Sequence, residues 1–333
     1  MSYTDEVIGA IVRQTLGLAE TTPLAIVPIA KGGSKRRFYR VRTGGSDSII
    51  FMHYDRDRRE NCYYAAQAGF LRSIGVAVPV LFHHDPDRGF LLMEDLGEED
   101  LWSYREAAWE IRRNYYCRTL ALVGKLHAWQ GGTAGPPLME AFGPALYRWE
   151  QDYFLQNFVE AVCHLELPPA EAEALKEELA GLAEALGGLP PCLVHRDLQS
   201  QNVMLRDGGP VLIDFQGMRF GNPCYDLASL LYDPYVSFTE GEREELFDYY
   251  CGLFRLGGAA AAFRMMFRQA AAQRLMQALG AYGFLGLKAQ QPEFLAHIPA
   301  GIENLITALG VDPQLAHLGN LARRCREVVP LSL

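Results

Sequence analysis

Between residues 24 and 54 short apolar runs alternate with polar positions. LAIVPIA, RRFYRVRTGG and SIIFMHY are rich in β-branched and aromatic residues and are parted by Lys31-Gly32-Gly33-Ser34-Lys35 and a second Gly-containing turn. Period-two alternation with that composition predicts an antiparallel meander. From Arg58 to Ile74 the spacing becomes four, and Cys62, Ala66, Phe70 and Ile74 fall on one predicted helical face. Strand patterns return at VPVLFHHD and GFLLMED around Pro86-Asp87-Arg88-Gly89, a hairpin-type turn. After Leu96-Gly97 the character is helical. Ser103 and Glu106 read as a capping box ahead of Ile111, Tyr115, Thr119, Leu122 and Leu126. Leu175, Leu179, Leu182 and Leu186 repeat the three-four spacing before Gly187-Gly188, and FRMMFRQAAAQRLMQALG and AGIENLITALG continue it. The predicted class is α+β. Residues 1–95 form a small antiparallel-sheet unit, residues 96–333 a larger, mainly helical one, and Glu94-Asp95-Leu96-Gly97 is the hinge between them.

Composition narrows the function. With 333 residues, 49% of them hydrophobic, the chain can build a large core or two units sharing a cleft. A formal net charge of -9 offers no overall basic field, which argues against a nucleic-acid partner. The seven cysteines are odd in number, scattered and without a C-x-x-C pair, as suits a reducing cytoplasm. The N-terminal stretch MSYTDEVIGAIVRQTLG has no basic start and no long apolar run, and no membrane partner is expected. A monomer or weak homodimer is the expected assembly.

The chemistry is concentrated in Val194-His195-Arg196-Asp197-Leu198-Gln199-Ser200-Gln201-Asn202, followed by Leu212-Ile213-Asp214-Phe215. Phosphoryl transfer needs a carboxylate to orient and deprotonate a hydroxyl, and oxygen ligands that hold magnesium against phosphates. Asp197 fits the first role and Asn202 with Asp214 the second. Asn202–Leu205 and Val211–Asp214 read as strands joined by the loop Arg206–Pro210. If Leu205 faces Val211, antiparallel counting sets Asn202 opposite Asp214. An asparagine and an aspartate suffice for Mg2+, which fills its octahedron with waters and substrate phosphates.

In these motifs the chain resembles the aminoglycoside and choline phosphotransferase superfamily, whose members have a protein-kinase-like two-lobed fold and act on small molecules with ATP and Mg2+. The resemblance implies that Asp197 is the catalytic base and that Asn202 and Asp214 are the metal ligands. Gln216 stands where a protein kinase has the glycine of D-F-G, and no A-P-E segment follows. A narrower likeness is to the bacterial anomeric kinases of N-acetylmuramate and N-acetylglucosamine. It is carried by Ser34-Lys35-Arg36-Arg37-Phe38-Tyr39-Arg40, Arg59-Glu60-Asn61-Cys62, Arg88 to Gly97, and Ile213-Asp214-Phe215-Gln216 with Gly221-Asn222-Pro223-Cys224-Tyr225-Asp226-Leu227. It implies an amino-sugar acceptor phosphorylated at its anomeric hydroxyl.

Other residues are read beside this core. Gly32, Gly33 and Ser34, amid Lys31, Lys35, Arg36, Arg37, Arg40 and Arg42, form a turn suited to phosphate or a solvated hairpin tip. Kinases usually carry a strand lysine paired to a helix glutamate. Here Met52 takes the lysine position, Glu60 fits the glutamate, and Arg37 or Arg40 is expected to supply the missing charge. Adenine is expected against the backbone of Met93, Glu94, Asp95 and Leu96. Asp226 either caps its helix or accepts from the catalytic loop, His127 reads as a core histidine, and His195 as a loop brace. Asp233 is either a sugar ligand or a turn residue before Pro234. Glu240, Glu242, Glu244, Glu245 and Asp248 leave room for a cationic acceptor, and Tyr232, Tyr235, Tyr249 and Tyr250 for a choline cage. The alternative outside the enzymes is a pseudokinase that binds nucleotide without turnover.

Overall fold

The structure is a computed structural model that describes residues 3–29, 36–44, 48–131, 135–257, 260–310 and 312–329. The glycine turn with Gly32, Gly33 and Ser34 lies outside the described residues. The strands β1 (Ala25–Ile29), β2 (Arg37–Arg42), β3 (Ser48–His53), β4 (Leu81–Asp85) and β5 (Phe90–Glu94) form one sheet in the order β1-β2-β3-β5-β4. Each neighbouring pair is antiparallel. Period-two alternation divides β3 between two cores. Ile49 and Phe51 join Val41, Phe90 and Leu92 under α1 (Asp5–Leu16), while Ile50 and Met52 join Leu91 and Met93 in the larger core facing the helical lobe.

Helix α1 is not among the predicted elements, although its signals are in the sequence. Thr4 caps Val7 N, Asp5 and Glu6 fill the first turn, and Gly17 ends the helix in the left-handed region. Helix α2 (Arg59–Ser73) corrects the expected face. Cys62 and Ala66 are not on its buried side, which carries Asn61, Tyr64, Gln67, Ala68 and Leu71. The apolar count misleads because two buried positions are polar with amide nitrogens that find acceptors: Asn61 Nδ2 donates to Asp55 O at 2.9 Å and Gln67 Nε2 to Pro137 O at 2.9 Å.

The helical lobe holds α3 (Trp109–His127), α4 (Pro144–Phe154), α5 (Pro169–Gly187), α6 (Pro223–Leu231), α7 (Glu240–Leu253), α8 (Ala260–Gly283), α9 (Ile298–Leu309) and α10 (Ala316–Val328). Helix α8 is its axis, packed against α4, α6 and α9. Its alanines 270–272 with Leu275, Met276 and Leu279 are buried. The expected capping box is corrected too. Asp100 and Ser103 cap each other at a short 3-10 turn (Leu101–Tyr104), and α3 starts only at Trp109. Ile111 is therefore exposed, while Tyr116, Thr119, Leu120, Val123 and Leu126 make the buried stripe. Leu175, Leu179, Leu182 and Leu186 are all buried, as the spacing predicts. Among the described residues no helix is long and apolar enough to cross a membrane.

Candidate active site

Between the lobes lie four short strands: β6 (Cys192–Val194), β7 (Val203–Arg206), β8 (Gly209–Leu212) and β9 (Arg219–Gly221). Strand β6 pairs with β9 and feeds the loop 195–202, and β7 pairs with β8. The hairpin is tighter than expected. Asp207 (φ 50°) and Gly208 (φ 70°) alone make the turn, because an Asp-Gly pair accepts two successive left-handed residues. Val203 then faces Leu212 and Leu205 faces Pro210, one residue off the expected register. Ile213, not Asp214, lies across from Asn202, and its N–H donates to Asn202 O at 3.0 Å. Asp214 comes next, in the left-handed region (φ 62°).

The three sequence-predicted residues are joined by this short frame. Asn202 Nδ2 donates to Asp197 O at 2.8 Å, so its oxygen is the atom Asn202 has to offer a metal. Asp214 Oδ1 accepts from Gln216 Nε2 at 2.5 Å and from the guanidinium of Arg36, which ion-pairs with it. An aspartate carboxylate and an asparagine amide oxygen are hard donors of the kind a divalent ion takes, and Arg36 would have to release Asp214 for one to bind.

Buried acceptors hold the loop. Asp226, fully buried, takes His195 N at 2.6 Å on one oxygen and Arg196 N at 2.7 Å on the other, and His127 Nε2 stands 3.1 Å from it. His127 is anchored on its far side by Tyr250 Oη at 2.8 Å. The loop reading of Asp226 is thus the one seen, and the cap of α6 is Asn222, whose oxygen takes Cys224 N. His195 Nε2 meets Ile213 O at 2.9 Å and ties the loop 195–202 to the segment bearing Asp214. Asp233 is corrected as a sugar ligand. It is 1% exposed, and its oxygens take Ser200 N at 2.7 Å and Tyr235 N at 3.0 Å, which is the work of a buried turn residue.

The field around Asp197 is cationic. Arg196 Nη1 lies 3.4 Å from Oδ2 and Arg274 Nη2 3.9 Å from Oδ1. Burial pushes the Asp197 carboxyl upward, but Arg196 first and Arg274 next outweigh it and hold it below the usual aspartate range. Burial pushes the Glu150 carboxyl up, although Gln273 and Tyr225 donate to it.

The expected replacement for the strand lysine is corrected. Met52 is a buried core residue opposite Phe38 and Leu91. Arg40 is committed to the hinge, with Nε 2.6 Å and Nη2 3.1 Å from the two oxygens of Asp95 and Nη2 3.0 Å from Gly97 O. Arg37 is exposed on β2, and Glu60 has Arg58 at 3.9 Å. The arginine that pairs with Asp214 is Arg36, one residue before the strand, which a search for a strand cation passes over. Arg40→Ala should lower unfolding stability by about 1.5–3 kcal/mol, read from the urea midpoint, because a charged hydrogen-bond pair at the hinge is lost. A rise in nucleotide KM at unchanged stability would contradict that hinge role.

Around the hinge, Asp95 also takes Ser48 Oγ at 2.6 Å, and its carbonyl accepts Arg206 Nη1 at 2.6 Å. Met93 is buried, with Tyr64 Oη 3.5 Å from its sulfur, and Glu94 Oε2 accepts Val80 N at 3.0 Å. Leu96 is half-buried on the connection into the helical lobe.

A two-lobed fold with this loop defines a kinase-like phosphotransferase. A profile of the phosphotransferase enzyme family matches residues 25–265, and the chain belongs to that family, whose members act on hydroxyl groups. It is similar to the N-acetylmuramate/N-acetylglucosamine kinase of Pseudomonas aeruginosa, 26% identical over 310 residues covering 92% of this chain and 90% of the relative. The kinase of the same name from Neisseria meningitidis serogroup B is 25% identical over 303 residues, 89% of this chain and 85% of its own. Among solved structures, a gentamicin complex of the aminoglycoside phosphotransferase APH(2'')-IIa superposes with a TM-score of 0.64 at 15% identity, over 92% of this chain and 97% of the other. A choline/ethanolamine kinase family protein from Mesorhizobium loti gives 0.60 at 19% identity, over 96% and 99%. These two share the fold. The chain is a small-molecule kinase.

Proposed function

We propose that the protein transfers the γ-phosphoryl group of ATP, complexed with Mg2+, to the anomeric hydroxyl of an N-acetylated amino sugar, N-acetylmuramate or N-acetylglucosamine. The observation that carries the acceptor class is the arginine-rich surround of Asp197, formed by Arg196, Arg274 and, farther off, Arg219. Such a pole repels cationic acceptors and suits neutral or carboxylate-bearing ones. The features that would suit a cation are otherwise engaged. Glu240 and Glu244 face Arg268 at 3.6 and 3.8 Å, Glu245 pairs with Arg113, and Asp248 with Arg264 at 2.7 Å. Tyr232 and Tyr250 are buried at 4% and 2% exposure, Arg243 stacks over Tyr232, and Tyr235 packs on His297, so they form no open cage.

In this reading Asp197 accepts the hydrogen bond of the acceptor hydroxyl and takes its proton as the oxygen–phosphorus bond forms. With its carboxyl held below the usual range, its chief work is orientation, since a weak base removes a proton only late in a loose transition state. Asn202 and Asp214 would hold Mg2+, which supplies charge neutralisation at the phosphates. Arg36 would turn from Asp214 to the phosphates when the metal arrives. Adenine would lie at the hinge, against the backbone of Met93 to Leu96.

The test is ADP release from ATP and Mg2+ against N-acetylmuramate, N-acetylglucosamine, other hexoses, aminoglycosides and choline. Product carrying the phosphate at C1, seen by 31P spectroscopy, is the expected result. Turnover with aminoglycosides or choline but no amino sugar would sink the acceptor reading. Bound ATP with no transfer to any acceptor would favour a pseudokinase.

A further inference from the structure

Arg196 occupies a backbone conformation that arginine disfavours. Its φ is +81°, in the left-handed region where a β-carbon crowds the carbonyl and where glycine rests without strain. Asp226 imposes this geometry by accepting the N–H groups of His195 and Arg196 together. Glycine would satisfy the same two hydrogen bonds, which use only backbone. The arginine side chain therefore has to account for its own presence, and strain of this kind collects at working sites.

Three observations say what the side chain does. Its Nη1 lies 3.4 Å from Asp197 Oδ2, so an acceptor hydroxyl bonded to that oxygen, and a phosphorus in line with it, fall within reach. A β-carbon on Gly217 would lie 3.2 Å from Arg196 Nη1, 3.3 Å from its Cδ and 3.9 Å from Asp197 Oδ2, so the bare glycine leaves room for the guanidinium beside the base. Asp197 also has a second cation on its other oxygen. Arg274, 5% exposed and hydrogen-bonded through Nε to Ser229 Oγ at 3.2 Å, stands 3.9 Å from Oδ1. Arg196 is thus not the sole group steadying the base, and its guanidinium sides with the open face of the site, where side-chain exposure is 29% against 6% for Arg274.

We propose that Arg196 is a catalytic guanidinium that stabilises the transferring phosphoryl group, supplying from the catalytic loop the positive charge that Met52 does not supply from the sheet. The reaction is balanced by the groups already named. The acceptor oxygen bonds to the γ-phosphorus, the bond from that phosphorus to the β,γ-bridging oxygen breaks, the acceptor proton passes to Asp197, and ADP departs. Arg196 donates to the equatorial oxygens while charge spreads over them, and it undergoes no covalent change. The inference rests on the phosphotransfer chemistry of the site and holds for any acceptor.

Arg196→Gly and Arg196→Lys test it. The glycine variant loses the ion pair with Asp197 but relieves the left-handed backbone, so its melting point should stay close to that of the wild type. Its kcat should fall about 10²–10³-fold, as for loss of one preorganised donor, with the acceptor KM and the ADP affinity within about threefold of wild type. The lysine variant should recover part of the loss. Binding supplies a readout that turnover does not: affinity for ADP with aluminium fluoride should fall in step with kcat, while affinity for ADP alone holds. A glycine variant with kcat within about threefold of wild type would overturn the proposal, as would equal losses for ADP and the fluoride complex. If the glycine variant melts well below wild type, Arg196→Met, which keeps the aliphatic stem and loses the charge, decides. Reduced fluoride-complex affinity in a folded protein upholds the role, and wild-type affinity removes it. The fluoride experiment runs without a sugar, so wild type inactive on every amino sugar would sink the acceptor assignment and leave this test standing.

Discussion

Asp197→Asn should lower kcat by about 10²–10⁴-fold, because it removes the proton acceptor but keeps the side-chain shape, and should lower the unfolding midpoint only modestly at neutral pH, where the attraction to Arg196 and Arg274 is lost. The carboxylate is partly exposed, and Asn202 is held by the Asp197 backbone carbonyl, which the substitution retains. Single-turnover kinetics with ATP and the best acceptor provide the measurement, and retention of a tenth or more of wild-type kcat would remove Asp197 from its role. The pH profile is set by the same surroundings. Burial works against Arg196 and Arg274, the arginines win, and the Asp197 carboxyl sits below its ordinary value of 3.8. Asp197 should stay ionised from neutral pH down past that value. No acid limb from this residue is expected in kcat/KM between pH 5 and 8. The linkage has the same sign: a depressed folded pKa contributes stability that is complete above the unfolded value and is lost as pH falls through the folded one. In Asp197→Asn that contribution is absent at neutral pH, and its loss on the acid side should vanish with it.

Asp226→Ala should have the largest effect on stability. Asp226 is fully buried and receives two backbone N–H groups and His127. Truncation leaves those donors in an apolar interior with nothing to accept them, a cost of about 2–5 kcal/mol in total. The loop also loses what holds Arg196 in the left-handed region, so Asp197 shifts relative to the β7–β8 hairpin. A misplacement of about 1 Å is worth roughly 10²-fold in rate. Chemical denaturation and kcat of the folded fraction separate the two effects. Asp226→Asn should be milder, since its single oxygen can keep one of the loop amides. A variant that lost activity at wild-type stability would show Asp226 acting on substrate and not through the loop.

These two residues mark how far linear reading reaches. Asp197 stands out because H-R-D with an asparagine five positions on and an I-D-F beyond is a local pattern. In the sequence alone Asp226 is open between two structural roles. Which one it plays depends on α6 lying beneath the catalytic loop, a contact across 30 or so residues of chain. Asp233 shows the same thing in reverse: a carboxylate before Pro-Tyr looks available in sequence, and the fold buries it on Ser200 and Tyr235.

By itself the sequence determined the features that depend on period and local chemistry: five strands with one helix among them, the leucine face of α5, the loop 195–202 lying ahead of the segment that bears Asp214, and the absence of a strand lysine at Met52. These survive because alternation, three-four spacing and turn residues act within a few positions of each other. Only the tertiary structure decided the rest. The buried face of α2 rests on Asn61 and Gln67, polar residues that go inside because carbonyls from other segments await them. The hairpin register turned on whether Asp207-Gly208 closes in two residues, and one residue of slip moves Ile213 to face Asn202. The cations of the site come from α8, from the catalytic loop and from the residue preceding β2, segments far apart in the chain. Arg196 is Asp197's neighbour in the chain, but Arg274 reaches Asp197 only once α8 packs within the helical lobe, and Arg36 reaches Asp214 only once the lobes pack, because Coulomb attraction depends on distance in space and carries no mark in the order of residues.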